Sequence, residues 1–364
     1  MMKPWATTSP CPIGPTGEPI GSLTDVPRLD GRAALSMATE GFAVATATEA
    51  RPRTAVVVLN WNGWRDTIPC VESLRAMEDV PSVFVVDNGS SDDSVAHIRS
   101  AAPWAELVLL ASNRGFSAGM NAGIAAALEQ DPAAEYVWVL NNDTLVQRET
   151  LSRMIRIADR DPTIGIVGSL LIDADGSGRV QALGGGRIGR WLGTTSTLVR
   201  PTTRSCDYLT GASLLLRRAL LLEIGGFDER YFFYYEDADL SVRVRRAGWR
   251  LAVATEAAVL HHRGASINRG ATGRSLAGDV EHAKSTAIFL SHLPLPARLI
   301  AIPVRFAAML VKRAARRQPE RLLPIARAYA DGLRIGRRPP MIPMFRCRNP
   351  HSGDHDLGST GPAG

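Results

Sequence analysis

At 364 residues and 45% hydrophobic content, the chain can hold one large domain or two ordinary ones around a substantial core. Its net charge of +6 is uneven, since residues 283–364 carry 14 Lys and Arg against 4 Asp and Glu while residues 1–282 carry 28 against 32. The four cysteines, Cys11, Cys70, Cys206 and Cys347, form no CxxC pair, which argues against a disulfide framework or a zinc site and suits a reducing cytosol.

Residues 1–50 are rich in Pro, Gly, Thr and Ala without a sustained period and read as a disordered leader, with room for a short helix in 31–50. The opening MMKPWATTSPCPIGPTG lacks the apolar stretch of a signal peptide, so a cytoplasmic location is expected. From Thr54, AVVVLN is a buried strand, followed by a helix over 66–77 with Asp66 as N-cap and Pro69 in its first turn. SVFVV at 82–86 is a second strand, ending in Asp87-Asn88-Gly89-Ser90-Ser91-Asp92-Asp93, and a helix is expected from about 91 to 102. A third strand over 106–110 ends in Asn113-Arg114-Gly115-Phe116. The helix that follows, 116–130, keeps Ala and Gly on the side that presses on a sheet. The fourth strand, 136–140, stops abruptly in Asn141, Asn142 and Asp143.

Strands alternating with helices of this length predict a parallel sheet with right-handed crossovers. Asn60, Asp87, Asn113 and Asp143 then fall at one carboxyl edge, where open α/β sheets bind ligands. A single polar strand end is an ordinary turn. Four in succession, two followed by small residues that admit close backbone approach, describe a nucleotide pocket. None of these four strand ends carries a GxGxxG, and no GxxxxGK[ST] occurs. The phosphates therefore need another counter-charge, and Asp143 points to a divalent metal, Mg²⁺ or Mn²⁺.

Beyond this edge a helix is expected over 147–160 and a strand over 164–171, and the glycine-rich 176–197 reads as a mobile loop. From Asp207 the chain is dense in motif: DYLTGASLLLRRALLLEIGGFDERYFFYYEDADLSVRVRRAGWRLAV. Phe233, Tyr234 and Tyr235 lead directly into Glu236-Asp237-Ala238-Asp239. Carboxylates beside aromatic surface tend to a raised pKa, which suits a general base near neutral pH. The same acids also suit a helix N-terminus, answered one turn on by Arg243. Both readings hold here, with Asp239 structural and Asp237 chemical. A strand over 252–260 then delivers His261-His262 towards the pocket. A lone His beside a strand is more often structural, but this position favours a ligand for one of the pair.

In order and spacing, VVVLNWN, VVDNGSSDDS, NRGFSAGMN, LNNDT, TGASLLLRR, GGFDERYFFYYEDADLSVRVRRAG and HHRGAS resemble the inverting glycosyltransferases of family 2, specifically the bacterial rhamnosyltransferase-like members, from about 54 to 266. The resemblance implies an α/β GT-A fold: a single Rossmann-like, mostly parallel sheet flanked by helices, with a C-terminal helical extension. The expected organisation is a leader to residue 50 and a catalytic domain over 51–282, divided into a nucleotide half to about 145 and an acceptor half after it. A basic helical extension over 283–340 and a disordered tail over 341–364 follow.

The resemblance also implies roles. Asp87 would bind the base with Asn60 near it, Asn142 would approach the ribose, and Arg114 and Asn121 would belong to the donor side. Asp143 and His261 would hold the metal and diphosphate, with NND standing where many relatives have DxD. Asp237 would be the catalytic base, with Gly211, Asp228 and Glu236 on the acceptor side. No QxxRW motif follows, which implies one sugar per encounter. The implied reaction is a direct displacement, most readily of rhamnose from dTDP-rhamnose, by a hydroxyl of a cell-envelope glycan or polyprenyl-linked glycan. A UDP-hexose donor is the rival. A nucleotidyltransferase would need a glycine-rich basic loop near the N-terminus, which is lacking. A non-catalytic nucleotide-sugar or glycan-binding module would differ in not needing Asp237 for turnover.

At 297–317, ARLIAIPVRFAAMLVKRAARR spaces Arg298, Arg305 and Lys312 seven apart among Leu, Ile, Phe and Met, and Arg334–Arg338 adds a second basic cluster. This reads either as an amphipathic helix on an anionic membrane, bent at Pro303, or as a helix packed on the catalytic domain. The longest apolar run, 299–311, is broken by Pro303 and Arg305 and falls short of the roughly 20 residues that span a bilayer. The folded region shows no nucleic-acid reading motif. Peripheral contact with the inner face of the cell membrane is the expectation.

Overall fold

The computed structural model describes residues 54–200, 205–262 and 275–345; the expected leader with its short helix, and the chain beyond 345, lie outside the described residues. The first half alternates as its sequence predicts: β1 (Thr54–Asn60), α1 (Trp64–Arg75), β2 (Ser82–Asp87), α2 (Ser94–Ala101), β3 (Glu106–Leu109), α3 (Gly115–Gln130) and β4 (Tyr136–Asn141). After these come β5 (Thr144–Val146), α4 (Thr150–Asp159), β6 (Ile164–Asp173), β7 (Val180–Leu183), β8 (Gly185–Ile188), β9 (Thr195–Thr197), β10 (Tyr208–Leu209) and β11 (Ser213–Arg217). Then follow α5 (Arg218–Ile224), α6 (Glu236–Arg246), β12 (Arg250–His261), α7 (Leu276–Ser291), α8 (Leu295–Ala315) and α9 (Leu322–Gly336).

The main sheet runs β3-β2-β1-β4-β11-β6-β12-β5, with β7 beside β6. Its first four strands are mutually parallel, β11 is antiparallel to both neighbours, and β12 is parallel to β6 and antiparallel to β5. Successive strand residues point to opposite faces, and both faces are covered. Val56 and Val58 pack with Leu74 of α1, Ile98 of α2 and Met154 of α4. Ala55 and Val57 pack with Ile124 of α3, Leu221 of α5 and Val244 of α6. The small face of α3 lies close on the sheet as expected, for a Cβ at Gly123 would sit 2.3 Å from Val57 Cγ1.

Four local expectations change. Helix α1 starts at Trp64 rather than 66, because Gly63 is the N-cap and its carbonyl accepts from the amides of both Asp66 and Thr67 at 3.0 Å. Asp66 is thus a first-turn acid, not the cap. The glycine-rich 176–197 contains three strands rather than being a mobile loop throughout: β7 pairs with β6, and β8 pairs with β9 and β10 in a second, three-stranded antiparallel sheet. Its glycines serve close approach, since a Cβ at Gly185 would lie 2.0 Å from the Tyr208 carbonyl oxygen. The boundary drawn at 282/283 falls inside α7, and the segment from 341 does not begin as a free tail. The Met341 N–H donates to Asp228 Oδ1 at 3.1 Å, the Met341 carbonyl accepts from the Glu229 amide at 2.8 Å, and Phe345 is buried in the core beside α3 and α5.

Helices α7, α8 and α9 share a small core that includes Ala287, Leu290, Ala301, Ile325 and Tyr329. Asp279 on α7 pins it by pairing with Arg313 on α8 and, at 2.7 Å, with Arg321 before α9. Helix α8 therefore packs, and Pro303 lies inside it without ending it. Its outward face nevertheless exposes Leu295, Leu299, Ile300, Val304 and Val311. Arg305 is not on that face, for it turns inward to the Tyr235 hydroxyl. Because Asp279 answers two arginines in a buried setting, Asp279→Ala leaves buried Arg313 without its carboxylate partner and should cost about 3–5 kcal/mol. Urea unfolding followed by circular dichroism checks this, and a loss under about 1 kcal/mol would show that the triad does not hold the helices.

Candidate active site

The parallel register places Asn60 opposite Asp87 and Leu59 opposite Asn141, so the polar residues that end β1, β2 and β4 meet at one edge. They form one hydrogen-bonded chain. Asn60 Nδ2 donates to Asp87 Oδ1 at 2.8 Å and to Ser90 Oγ at 3.2 Å, while Thr67 Oγ1 donates to Asn60 Oδ1 at 2.8 Å. Asn142 Nδ2 joins it through Thr67 Oγ1 at 2.9 Å. Asp87 accepts further from the Ser90 amide at 2.9 Å and from its hydroxyl at 2.6 Å. At the third strand end, Asn88 receives the Arg114 amide at 2.9 Å and donates to Asn113 Oδ1 at 3.1 Å. Asn60, Asp87 and Asn142 are thus brought together, buried, at the mouth of the sheet.

Strand β5 reverses after Asp143 and pairs with the end of β12, His261 opposite Thr144. This sets His261 Nε2 3.3 Å from Asp143 Oδ1, a buried oxygen that no hydrogen bond satisfies. The hydrogen-bond network assigns the imidazole tautomer. Gln181 Nε2 donates to Asp173 Oδ1 and, at 2.7 Å, to the His261 carbonyl, so its Oε1 must accept, and the partner at 2.9 Å is His261 Nδ1. Nδ1 therefore carries a hydrogen, and Nε2 faces the Asp143 carboxylate. A carboxylate oxygen without a hydrogen bond beside an imidazole nitrogen is a donor pair that suits a metal cation. Among the described residues no three or more His, Cys, Asp or Glu converge as an all-protein cage requires. A site of one carboxylate and one imidazole instead fits a divalent ion that takes its remaining ligands from a diphosphate and water.

The other half of the site is a cavity of about 460 Å³ lined by Asn141, Gln181, His261, Gly211, Glu236, Asp237, the aromatic run Phe233 to Tyr235, and His282 of α7, with Thr195, Thr197 and Tyr208 from the second sheet. Asp237 is in the first turn of α6. Its Oδ2 accepts from the Gly211 amide at 3.1 Å and its Oδ1 from the Ala238 amide at 2.7 Å. Burial pushes its carboxyl up from the ordinary range while these two amides pull it back. Beside it Glu236 is buried, its Oε2 has no partner, and burial followed by the Asp237 charge pushes it up to about 8. The amides hold Asp237 as the carboxylate of the pair and leave Glu236 as the acid. Asp239, two positions on, pairs with Arg243 at 2.8 Å.

The turn that aims Asp237 is strained. Tyr234 and Tyr235 both adopt positive φ, +73° and +68°, a conformation that costs a non-glycine residue about 1–3 kcal/mol and persists only where its surroundings impose it.

Three expected site residues are engaged elsewhere. Asn121 accepts from the Phe227 amide at 2.8 Å and donates to the Phe227 carbonyl at 2.9 Å and to Glu229 at 3.2 Å, so its capacity goes to fixing the loop after α5 rather than to a donor. Asp228 is buried, accepts from Arg230 and from the Met341 amide, and so anchors the C-terminal segment instead of facing an acceptor. Arg114 reaches Glu229 at 3.2 Å from a half-exposed position. Conversely, Gln181, Thr67, Ser90 and His282 are part of the site and carry no signal in the sequence. Gln181 lies in the stretch read as loop, and His282 is a single histidine in a remote helix.

The chain matches the model of the family described as "Glycosyl transferase family 2" over residues 55–225. It is 33% identical over 238 residues to an N-acetylglucosaminyl-diphospho-decaprenol L-rhamnosyltransferase of Mycobacterium tuberculosis, covering 59% of this chain and 76% of that one. It is 23% identical over 204 residues to the low-salt glycan biosynthesis hexosyltransferase Agl10 of Haloferax volcanii, covering 53% and 61%. Its fold is similar to that of S. aureus TarS residues 1–349 in complex with UDP-GlcNAc, with a TM-score of 0.50 at 17% identity over 78% of this chain and 81% of that one.

Glu236 carries a stability signature. Its ordinary value is 4.5 and its folded value about 8, so over that window the unfolded chain gives up a proton that the folded chain keeps. Its contribution is full below pH 4.5 and is lost as pH rises through about 8. Glu236→Gln, which never ionises, should match the wild type near pH 4 and melt several degrees higher near pH 8. Melting curves of the two proteins that stay parallel across that range would count against a buried, protonated Glu236.

Proposed function

Because this chain belongs to glycosyl transferase family 2, we propose that it transfers one sugar, rhamnose from dTDP-rhamnose, with inversion, to a hydroxyl of a lipid-linked or cell-envelope glycan. The observation that carries the mechanism is that Asp237 and His261 line one cavity, so a base and the leaving-group side of a donor face a common space. The rhamnosyl donor and lipid-linked acceptor are supported by the 33% identity to the mycobacterial rhamnosyltransferase.

The nucleoside lies across the β1, β2 and β4 ends, with Asp87 and Asn60 at the base and Asn142 towards the ribose. Asp143 and His261 would hold a divalent ion, which when bound would supply positive charge for the departing diphosphate. The acceptor enters between the Tyr234 and His282 rings and the Thr195 and Thr197 edge. Asp237 takes the proton of its hydroxyl, the oxygen attacks the anomeric carbon, and the bond to the diphosphate breaks on the opposite face. Neutral Glu236 donates a hydrogen bond to the acceptor. A single displacement inverts the anomeric centre.

Transfer is tested with dTDP-rhamnose and N-acetylglucosaminyl-diphospho-polyprenol. Wild type should release dTDP in a chelator-sensitive way. Asp237→Asn should bind donor normally in calorimetry while transfer falls about 10²–10⁴-fold, the usual worth of general acid–base catalysis, and Asp143→Ala should abolish the metal-dependent turnover while leaving the fold intact. Full transfer by Asp237→Asn sinks the base assignment, and turnover only with a UDP-hexose sinks the donor.

We also place the enzyme peripherally on the cytoplasmic membrane through α8. Among the described residues no helix is long and apolar enough to cross a membrane. The outward Leu299 and Val311, 68% and 66% exposed, are flanked by Lys312, Arg316 and Arg317, which fits an anionic lipid surface. Leu299→Ser with Val304→Ser should weaken sedimentation with phosphatidylglycerol vesicles about a hundredfold or more, given roughly 1.5–3 kcal/mol for each of two fully buried side chains. Unchanged sedimentation assigns that face to another partner.

A further inference from the structure

We propose that the α7–α8 pair is a clamp on the catalytic turn, with Arg305 and Ser285 as positioning residues that hold Phe233 to Tyr235 in the conformation that aims Asp237 into the cavity. The proposal rests on Asp237 as the base. Two consecutive non-glycine residues with positive φ stand immediately before Glu236 and Asp237, and neither gives α6 a side-chain cap. Something outside the turn has to impose this conformation, and the contacts come mainly from the C-terminal helices. Ser285 Oγ of α7 donates to the Phe233 carbonyl at 2.8 Å. His282 of α7 meets the Tyr234 ring edge-on at 5.4 Å between centroids, and Phe289 of α7 covers the Tyr235 ring at 5.0 Å. Arg305 Nη2 of α8 donates to the Tyr235 hydroxyl at 2.9 Å. From the sheet side the turn receives the Phe116 amide, which donates to the Phe232 carbonyl at 2.7 Å.

The lever from this turn to the base is short. The Tyr235 carbonyl is an acceptor of the first turn of α6, taking the Asp239 amide at 2.8 Å, so the orientation of residue 235 sets where that turn begins and where Asp237 points. The nucleoside-side residues Asn60, Asp87 and Asn142 are held by their own hydrogen bonds to one another, Ser90 and Thr67. Loosening the clamp therefore disturbs the base and spares the donor pocket.

Tyr235→Phe removes only the hydroxyl and keeps the ring against Phe289, and Arg305→Met removes the donor while keeping most of the stem. Each should lower kcat about tenfold in the transfer assay above, with the donor KM within twofold of wild type. Arg305→Lys, which keeps a donor, should recover part of the loss. The double variant should be no slower than the slower single, because both remove one bond. Deuterium exchange should quicken at the amides of 237–240 and not in β1 or β4, a readout that needs no turnover. Wild-type kcat and wild-type exchange in both single variants overturn the clamp, as do losses that simply multiply in the double. Asp237→Asn run alongside separates the two ideas. If it is inactive while the clamp variants behave as wild type, the clamp alone is wrong; if it transfers normally, the base assignment falls and the clamp falls with it.

Discussion

A strand buried on both faces has no side on which to keep a polar group, so β1, β2 and β4 carry theirs at the carboxyl end. The parallel register then aligns those ends, Asn60 with Asp87 and Leu59 with Asn141, and one hydrogen-bonded chain joins Asp87, Asn60, Thr67 and Asn142. Everything chemical in the molecule is arranged around this edge. The antiparallel return of β5 along β12 brings His261 to Asp143, and the hairpin excursion through β7, β8 and β9 closes the cavity above it.

Within that frame, environment distinguishes side chains of similar chemistry. Glu236 and Asp237 are adjacent acids in one buried turn, yet only Asp237 receives two backbone amides, which favours its ionised form and leaves Glu236 protonated. Asp239 is in the same turn and is held by Arg243. At the other side of the cavity, the amide of Gln181 fixes which nitrogen of His261 faces Asp143.

The C-terminal helices belong to this arrangement rather than hanging from it. Helix α8 has an inner edge, where Arg305 reaches Tyr235, and an outer apolar edge from Leu295 to Val311. Asp279 ties it to α7 and to the approach to α9, and Met341 to Phe345 return to cover the loop after α5. A single helix thus touches the turn that carries Asp237 and also presents the solvent-facing apolar surface.

The sequence by itself determined the elements that depend on local pattern: the four apolar strands, the helices between them, the shared edge of Asn60, Asp87 and Asp143, and the acidic turn after three aromatics. These were legible because burial on two faces and the 3.6-residue period are written in neighbouring residues. Only the tertiary structure decided which polar groups remain available for chemistry. Asn121 and Asp228 stand in motifs as prominent as that of Asp237, but their bonds are taken by Phe227, Glu229, Arg230 and Met341, partners more than 100 positions away in three of these contacts. The glycines of 184–186 looked like mobility and are instead close strand contacts, because a glycine's sequence context does not say whether it bends a chain or lets another chain approach. Gln181, His282 and Arg305 gained their places by packing alone, which joins residues that no local period relates.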